Sequence, residues 1–140
     1  MDTILVPGIT GAASTRVTQA NTAQALGSGA VPVYATPALV ALVEQAAVDA
    51  LAPHLPPGST TVGVRIDVQH LAATPIGMEV RAQATLRAQE GRTLILDVAA
   101  HDDIELIAQG VHERVLVDQQ RFMARVMSKA SPAWLNQVSS

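Results

Sequence analysis

The stretch "PVYATPALVALVEQAAVDAL", residues 32–51, reads almost wholly as hydrocarbon, yet a glutamate, Glu44, stands in its middle. Thr36-Pro37 sets an N-cap residue before a proline at the first helical position, which predicts a helix start. The helix runs to about Leu51, where "APHLPPG" stops it because proline cannot continue the hydrogen-bond ladder. At about 100° per residue, Glu44 shares a stripe with Val40, Ala47, Val48 and Leu51, while Gln45 and Asp49 mark a narrow polar edge. A helix so apolar around its girth needs cover on nearly all sides.

The residues that follow predict that cover. Beyond Gly58 the period changes to two, with Val62, Val64, Ile66 and Val68 alternating against Gly63, Arg65, Asp67 and Gln69. After "TPIG", Met78, Val80, Ala82, Ala84 and Leu86 face one way. After the Glu90-Gly91 turn, Leu94, Leu96, Val98 and Ala100 do the same, and a fourth run, "IELIAQGVHERVLV", follows the Asp102-Asp103 turn. The expectation is an α+β fold, a four-stranded antiparallel meander curled around a central helix, with residues 1–140 as a single domain. Residues 1–20 are less legible, though "ITGAASTRVT" could hold a strand. "DQQRFMARVMSKA" has helical spacing with Phe122 and Val126 on one stripe, and residues 131–140 read as a loosely held end.

Composition removes several function classes. Aromatics make up 2% of the chain and the formal charge is -3, with nine basic residues against twelve acids. A nucleic-acid binder needs a positive groove and stacking rings, so that class is set aside. With no cysteine there is no disulfide framework, thiolate nucleophile or cysteine-based zinc site. The opening "MDTILVPGITGA" lacks a basic region and a long apolar run, and no stretch approaches membrane-spanning length, so a cytoplasmic protein without membrane contact is expected.

Three residues interrupt otherwise ordinary patterns. A carboxylate turned in with hydrocarbon, as Glu44 is on its stripe, is costly unless paired, and such placement is how general bases and nucleophiles are tuned; a helix edge reaching water is the plainer alternative. His70 continues the phase of Val62, Val64, Ile66 and Val68, so an imidazole takes a place meant for an aliphatic side chain; a histidine held by a backbone carbonyl would do the same. Thr36 could be an N-cap alone, or could also sit where first-turn amides near Ala38 and Leu39 favour an oxyanion. Eight residues separate Thr36 from Glu44, roughly 12 Å along a helix axis. If Thr36, Glu44 and His70 serve one reaction, the site is completed across a subunit interface. Of the other histidines, His54 lies in a proline-rich loop, His101 on the polar side of its strand, and His112 beside Glu113 and Arg114 in an expected surface charge cluster. Together they lack the spacing of a zinc site.

With these residues in view, the chain resembles the fluoroacetyl-CoA thioesterase family, a branch of the hotdog-fold acyl-CoA thioesterases. The likeness covers roughly residues 31–126 and is carried by "VYAT", the helical Glu44, "VQHLAATPIGMEV", "AQEGRTL", "AAHDDIELIAQGVHERV" and Phe122. It implies a catalytic Thr36, Glu44 and His70, with Gly63 and Arg114 at the substrate. It also implies a homodimer of two helices, each wrapped by a sheet, with acyl-CoA in grooves at the interface; whether dimers pair further is left open. No metal or cofactor is implied. One departure stands out: where fluoroacetyl-specific members place phenylalanines before the helix, "ALGSGAVPVYA" has only Tyr34, so a broader or different small acyl group is expected. Two other chemistries suit the same fold, a hydratase or dehydratase acting on an enoyl-CoA and a non-catalytic acyl-CoA-binding protein. Arg114 could equally be an exposed strand-end charge, and Gly63 a glycine relieving a bend.

Overall fold

Residues 3–130 are described in a computed structural model. In chain order they form β1 (Thr10–Arg16), a short helix α1 (Ala23–Leu26), the long helix α2 (Thr36–Leu51), β2 (Ser59–His70), β3 (Glu79–Glu90), β4 (Thr93–His101), β5 (Leu106–Asp118) and α3 (Gln119–Met127). The strand legible in "ITGAASTRVT" is β1, and the tail helix is α3; the expectation for residues 131–140 lies outside the described residues. All five strands join one antiparallel sheet in the order β1-β3-β4-β5-β2, packed against α2.

The four-strand meander is corrected by this order. β2 pairs with β5, from Ser59 opposite Asp118 to His70 opposite Ala108, and β1 takes the edge of β3 that β2 was expected to fill. The connections explain why. Only Gly91 and Arg92 join β3 to β4, with Gly91 at φ 62°, so those strands must be neighbours. The link from β2 to β3 is instead anchored along its length to other elements. Leu71 N donates to Ile107 O, Tyr34 N to Thr74 O and Gly77 N to Val17 O, while Pro75 bridges Val33. The Thr74 hydroxyl donates to Asp102 Oδ2 at 2.8 Å, both residues being buried. Burial pushes the Asp102 carboxyl up, but donation from the amides of Ile104 and Glu105 and from Thr74, with Arg81 nearby, holds it below the usual carboxylate range. A chain so tethered crosses to the far side of the sheet instead of turning back.

A bulge corrects the reading of β2. Gly63 lies opposite Arg114 and Arg65 opposite Glu113, so Val64 is the extra residue. Cross-strand partners share a face. Thr61 opposite Leu116 and Gly63 opposite Arg114 therefore face α2 together with Ile66, Val68 and His70, whereas Val62 turns to the outer face. Without the slip, Gly63 and His70 would lie on opposite faces.

The alternations of β3 and β4 hold: Val80, Ala82, Ala84, Leu86, Leu94, Leu96, Val98 and Ala100 are all buried against the helix. Their counterparts on α2 are Leu39, Leu42, Val43, Ala46, Ala47, Ala50 and Leu51. The alanines let β1 approach the helix backbone directly, and a Cβ on Gly11 would sit 2.2 Å from Ala50 N and 2.6 Å from Ala46 O. Neither backbone atom can yield. Gly11→Val is expected to lower stability by about 3 kcal/mol, read as a fall in the midpoint of chemical denaturation; an unchanged midpoint would contradict this packing.

One expectation for α2 changes. The sheet covers Ala47 and Leu51, but Val40 and Glu44 are only half-buried and Val48 is exposed. Full cover by a single sheet is not what the chain builds, because one curved sheet reaches only part of a cylinder. The part of that stripe at Val40, Glu44 and Val48 is left only partly covered by its own strands.

Candidate active site

The structure divides the six residues singled out by sequence into two groups of three. The first gathers Tyr34, Thr36 and His70 along a cavity of about 310 Å³ at the start of α2. Thr36 was expected to cap the helix, but Ala35 is the N-cap and no side chain caps. The Thr36 hydroxyl instead lies 2.8 Å from His70 Nδ1, which fixes the imidazole ring. Leu39 N already donates to Ala35 O, so of the two first-turn amides considered for an oxyanion only that of Ala38 remains. Burial lowers the His70 pKa, with the nearby Ala72 carbonyl opposing, so the ring is neutral at pH 7. Its Nε2 is buried and has no hydrogen-bond partner within the described residues. Tyr34 is packed into the core, where burial pushes its phenol up to about 12.

Glu44, Gly63 and Arg114 form the second group. Arg114 is 7% exposed, which excludes a strand-end surface charge. Its Nε donates to Thr61 Oγ1 at 2.9 Å and its Nη2 to Thr61 O at 3.0 Å, while Nη1 lies 3.6 Å from Glu44 Oε2. Burial lowers the guanidinium pKa and the Glu44 charge opposes that shift. Gly63 sits directly beneath: a Cβ there would fall 2.8 Å from Glu44 Oε2 and 3.2 Å from Arg114 Nη1. The glycine leaves room for the carboxylate, or for a reacting group beside it.

His112 joins this group and corrects a sequence expectation. It is not part of a surface charge cluster but 1% exposed, with Nδ1 2.8 Å from the Arg65 carbonyl and Nε2 3.2 Å from Arg114 Nη1. The carbonyl only accepts, so Nδ1 carries the proton and Nε2 accepts from Arg114. Burial lowers the His112 pKa; the Arg65 carbonyl and Glu44 raise it, and the Arg114 charge lowers it further. The missed signal was the period of two in "GVHERVL": His112 and Arg114 are in phase with buried Leu116, and adjacency to Glu113 masked that alternation.

These two histidines set a pH dependence of stability. In the unfolded chain both titrate near 6.5, whereas folding holds them neutral to lower pH. Below about 6.5 the unfolded chain therefore binds protons that the native state refuses, and stability falls as pH drops from there toward the lowered native values. Urea midpoints measured from pH 8 to pH 5 should be flat above about pH 7.5 and decline below about 6.5, and His112→Gln should flatten part of the decline. A rise toward pH 5 would refute the assignment. Among the described residues no three His, Asp or Glu side chains gather as metal ligands would.

A family model for the fluoroacetyl-CoA-specific thioesterases matches residues 17–120. The chain belongs to that family. A fluoroacetyl-CoA thioesterase of Streptantibioticus cattleyicolor is 45% identical over 97 residues, which span 69% of this chain and 70% of that protein. A mutant fluoroacetyl-CoA thioesterase solved with fluoroacetate superposes with a TM-score of 0.81 at 36% identity, covering 91% of this chain and 100% of that one. A thioesterase superfamily member from Thermus thermophilus gives 0.85 at 28% identity, with 94% and 96% covered. The curled sheet on a long helix is thus the hotdog fold, and the family is one of thioester hydrolases. The thioesterase resemblance carried by "VYAT" and "VQHLAATPIGMEV" is in this respect correct. No helix among the described residues is long and apolar enough to cross a membrane.

Proposed function

We propose that the protein, as a single-domain hotdog enzyme, hydrolyses the thioester of a small acyl-CoA to the free acid and CoA, at a site assembled from Thr36, Glu44 and His70 of two subunits. The observation that carries this reading is the position of Glu44: its side chain is 44% exposed at the margin of its own sheet, held over Gly63 by a buried arginine. A carboxylate so placed faces a ligand or a partner, not a core. The homologous thioesterases supply the reaction class.

In the reaction, the thioester carbonyl lies near the start of α2. Glu44 takes a proton from water as the oxygen attacks the carbonyl carbon, or attacks directly and forms an anhydride that water then opens. The tetrahedral intermediate collapses, the C–S bond breaks, and the sulfur leaves with a proton passed through His70. Thr36 holds the His70 ring, and Arg114 holds Glu44. Tyr34, core-packed and the one aromatic before the helix, borders a cavity suited to a small acyl group without selecting for fluorine.

The partner is proposed to be a second copy joined along β2. That strand has β5 on one side only, and from Thr60 to His70 its other edge meets no strand among the described residues, with Val64 56% exposed. Such an edge invites pairing, and a two-fold axis pairs like with like. An antiparallel join about a two-fold axis near the middle of β2 brings the Gly63 end of one copy beside the His70 end of the other. The orphaned His70 Nε2 then meets a group from the other chain.

Mixing the purified protein with a panel of acyl-CoAs and a thiol-detecting reagent tests the reaction. Thiol release, fastest for short acyl chains, is expected. A change in enoyl absorbance without thiol, or binding with neither, would overturn it.

A further inference from the structure

Four of the eight arginines of this chain are ion-paired. Arg65 pairs with Asp67 and Glu113, Arg81 with Glu79 and Asp103, Arg87 with Asp97, and Arg114 with Glu44, while Arg16 donates to Gly77 O. Four have no ion pair among the described residues, Arg16 and the trio Arg92, Arg121 and Arg125; the trio stands together. These three line one groove of about 390 Å³ between α3 and the end of β5, together with Asp118 and the half-buried ring of Phe122. Asp118 is the only acid there, and its Oδ1 already accepts from Arg121 N as the cap of α3. Residues 119–130 add Lys129 and contain no acid at all. In a chain of net charge -3 such a concentration of unpaired positive charge disfavours folding through self-repulsion and is stabilised by an anion.

The geometry points to this groove as the seat of the phosphate groups of the substrate's nucleotide end, resting on the acyl-CoA reading above. Guanidinium groups meet phosphate oxygens in pairs, and the Phe122 face offers a flat wall to a purine. Distance agrees. Asp118 follows Arg114 by four residues of β5, roughly 13 Å at strand rise. The pantetheine arm, with about four peptide units' worth of backbone bonds, reaches roughly 15 Å when extended. A thioester at Glu44 and phosphates at Arg121 and Arg125 thus suit one extended molecule.

Calorimetric titration with CoA, with dephospho-CoA and with inorganic phosphate tests the groove without reliance on turnover. In the double variant Arg121→Ala with Arg125→Ala, CoA should bind roughly 10- to 100-fold more weakly than in the wild type, and raised salt should narrow that difference. The double variant Arg81→Ala with Arg87→Ala removes the same charge from exposed, paired positions and should change CoA affinity less than about two-fold. Weaker binding of dephospho-CoA places the 3′-phosphate in the groove, and inorganic phosphate binding as tightly as CoA would show a plain anion site and overturn the nucleotide assignment. Equal loss in both double variants, no loss in the first, or no CoA binding by the wild type would likewise overturn it. Thiol release from acyl-CoA by the wild type, with CoA affinity unmoved in the groove variant, would leave the hydrolase reading standing and remove only the groove.

Discussion

Glu44→Gln is expected to lower kcat for acyl-CoA hydrolysis by about 10³-fold while KM changes by less than about three-fold. Glutamine keeps the shape that fits above Gly63 and can still meet Arg114, so the groove and the fold are preserved. It cannot accept a proton from water, nor attack a thioester carbon. The loss therefore falls on an interaction made in the transition state, which is why kcat drops and KM does not. Circular dichroism and the denaturation midpoint should match the wild type to within about 1 kcal/mol, since the ion pair is half-exposed on the Glu44 side. Retention of more than about a tenth of the wild-type kcat would remove Glu44 from the chemistry.

The second large effect concerns His70 and depends on assembly. His70→Ala should reduce kcat by about 10²-fold or more, because the ring is already fixed by Thr36 and has one nitrogen left to move a proton. Within one chain that nitrogen has nothing to act on. The first-turn Thr36 and Glu44 are about 12 Å apart along α2, and His70 is joined to Thr36, not to Glu44. If the site is shared between copies as proposed, Glu44→Gln and His70→Ala damage complementary halves. Unfolding and refolding the two inactive variants together then produces mixed dimers in which one site carries both substitutions and the other carries neither. With random pairing, about a quarter of the wild-type activity should return. A mixture as inactive as its components would place the whole site in one chain or show that the copies do not pair along β2.

Much of this protein was legible in short-range pattern. The helix over residues 36–51 and the inward faces of β3 and β4 follow from repeats of 3.6 and two, because backbone geometry alone decides which side chains share a face. Glu44 and His70 were visible as interruptions of those repeats. Thr36 reads from sequence as an N-cap, but its hydroxyl holds an imidazole and caps nothing. The charged neighbours of His112 suggest a surface, whereas its phase with Leu116 puts it on the buried face.

Strand order was decided only in three dimensions. Which edge β2 takes depends on contacts such as Thr74 with Asp102 and Tyr34 with Thr74, made between residues far apart in the chain. The slip at Val64 belongs to the same class, because a bulge is a property of two strands in register and leaves no mark on the period of one. It turns Gly63 toward Glu44 and so completes the ground beneath the carboxylate. The sequence by itself determined which residues are helix, which are strand and which ionisable groups intrude on apolar faces, since those depend on neighbours a few positions away. Tertiary structure decided which intruders meet, because burial and pairing of a charge depend on what the rest of the chain lays over it.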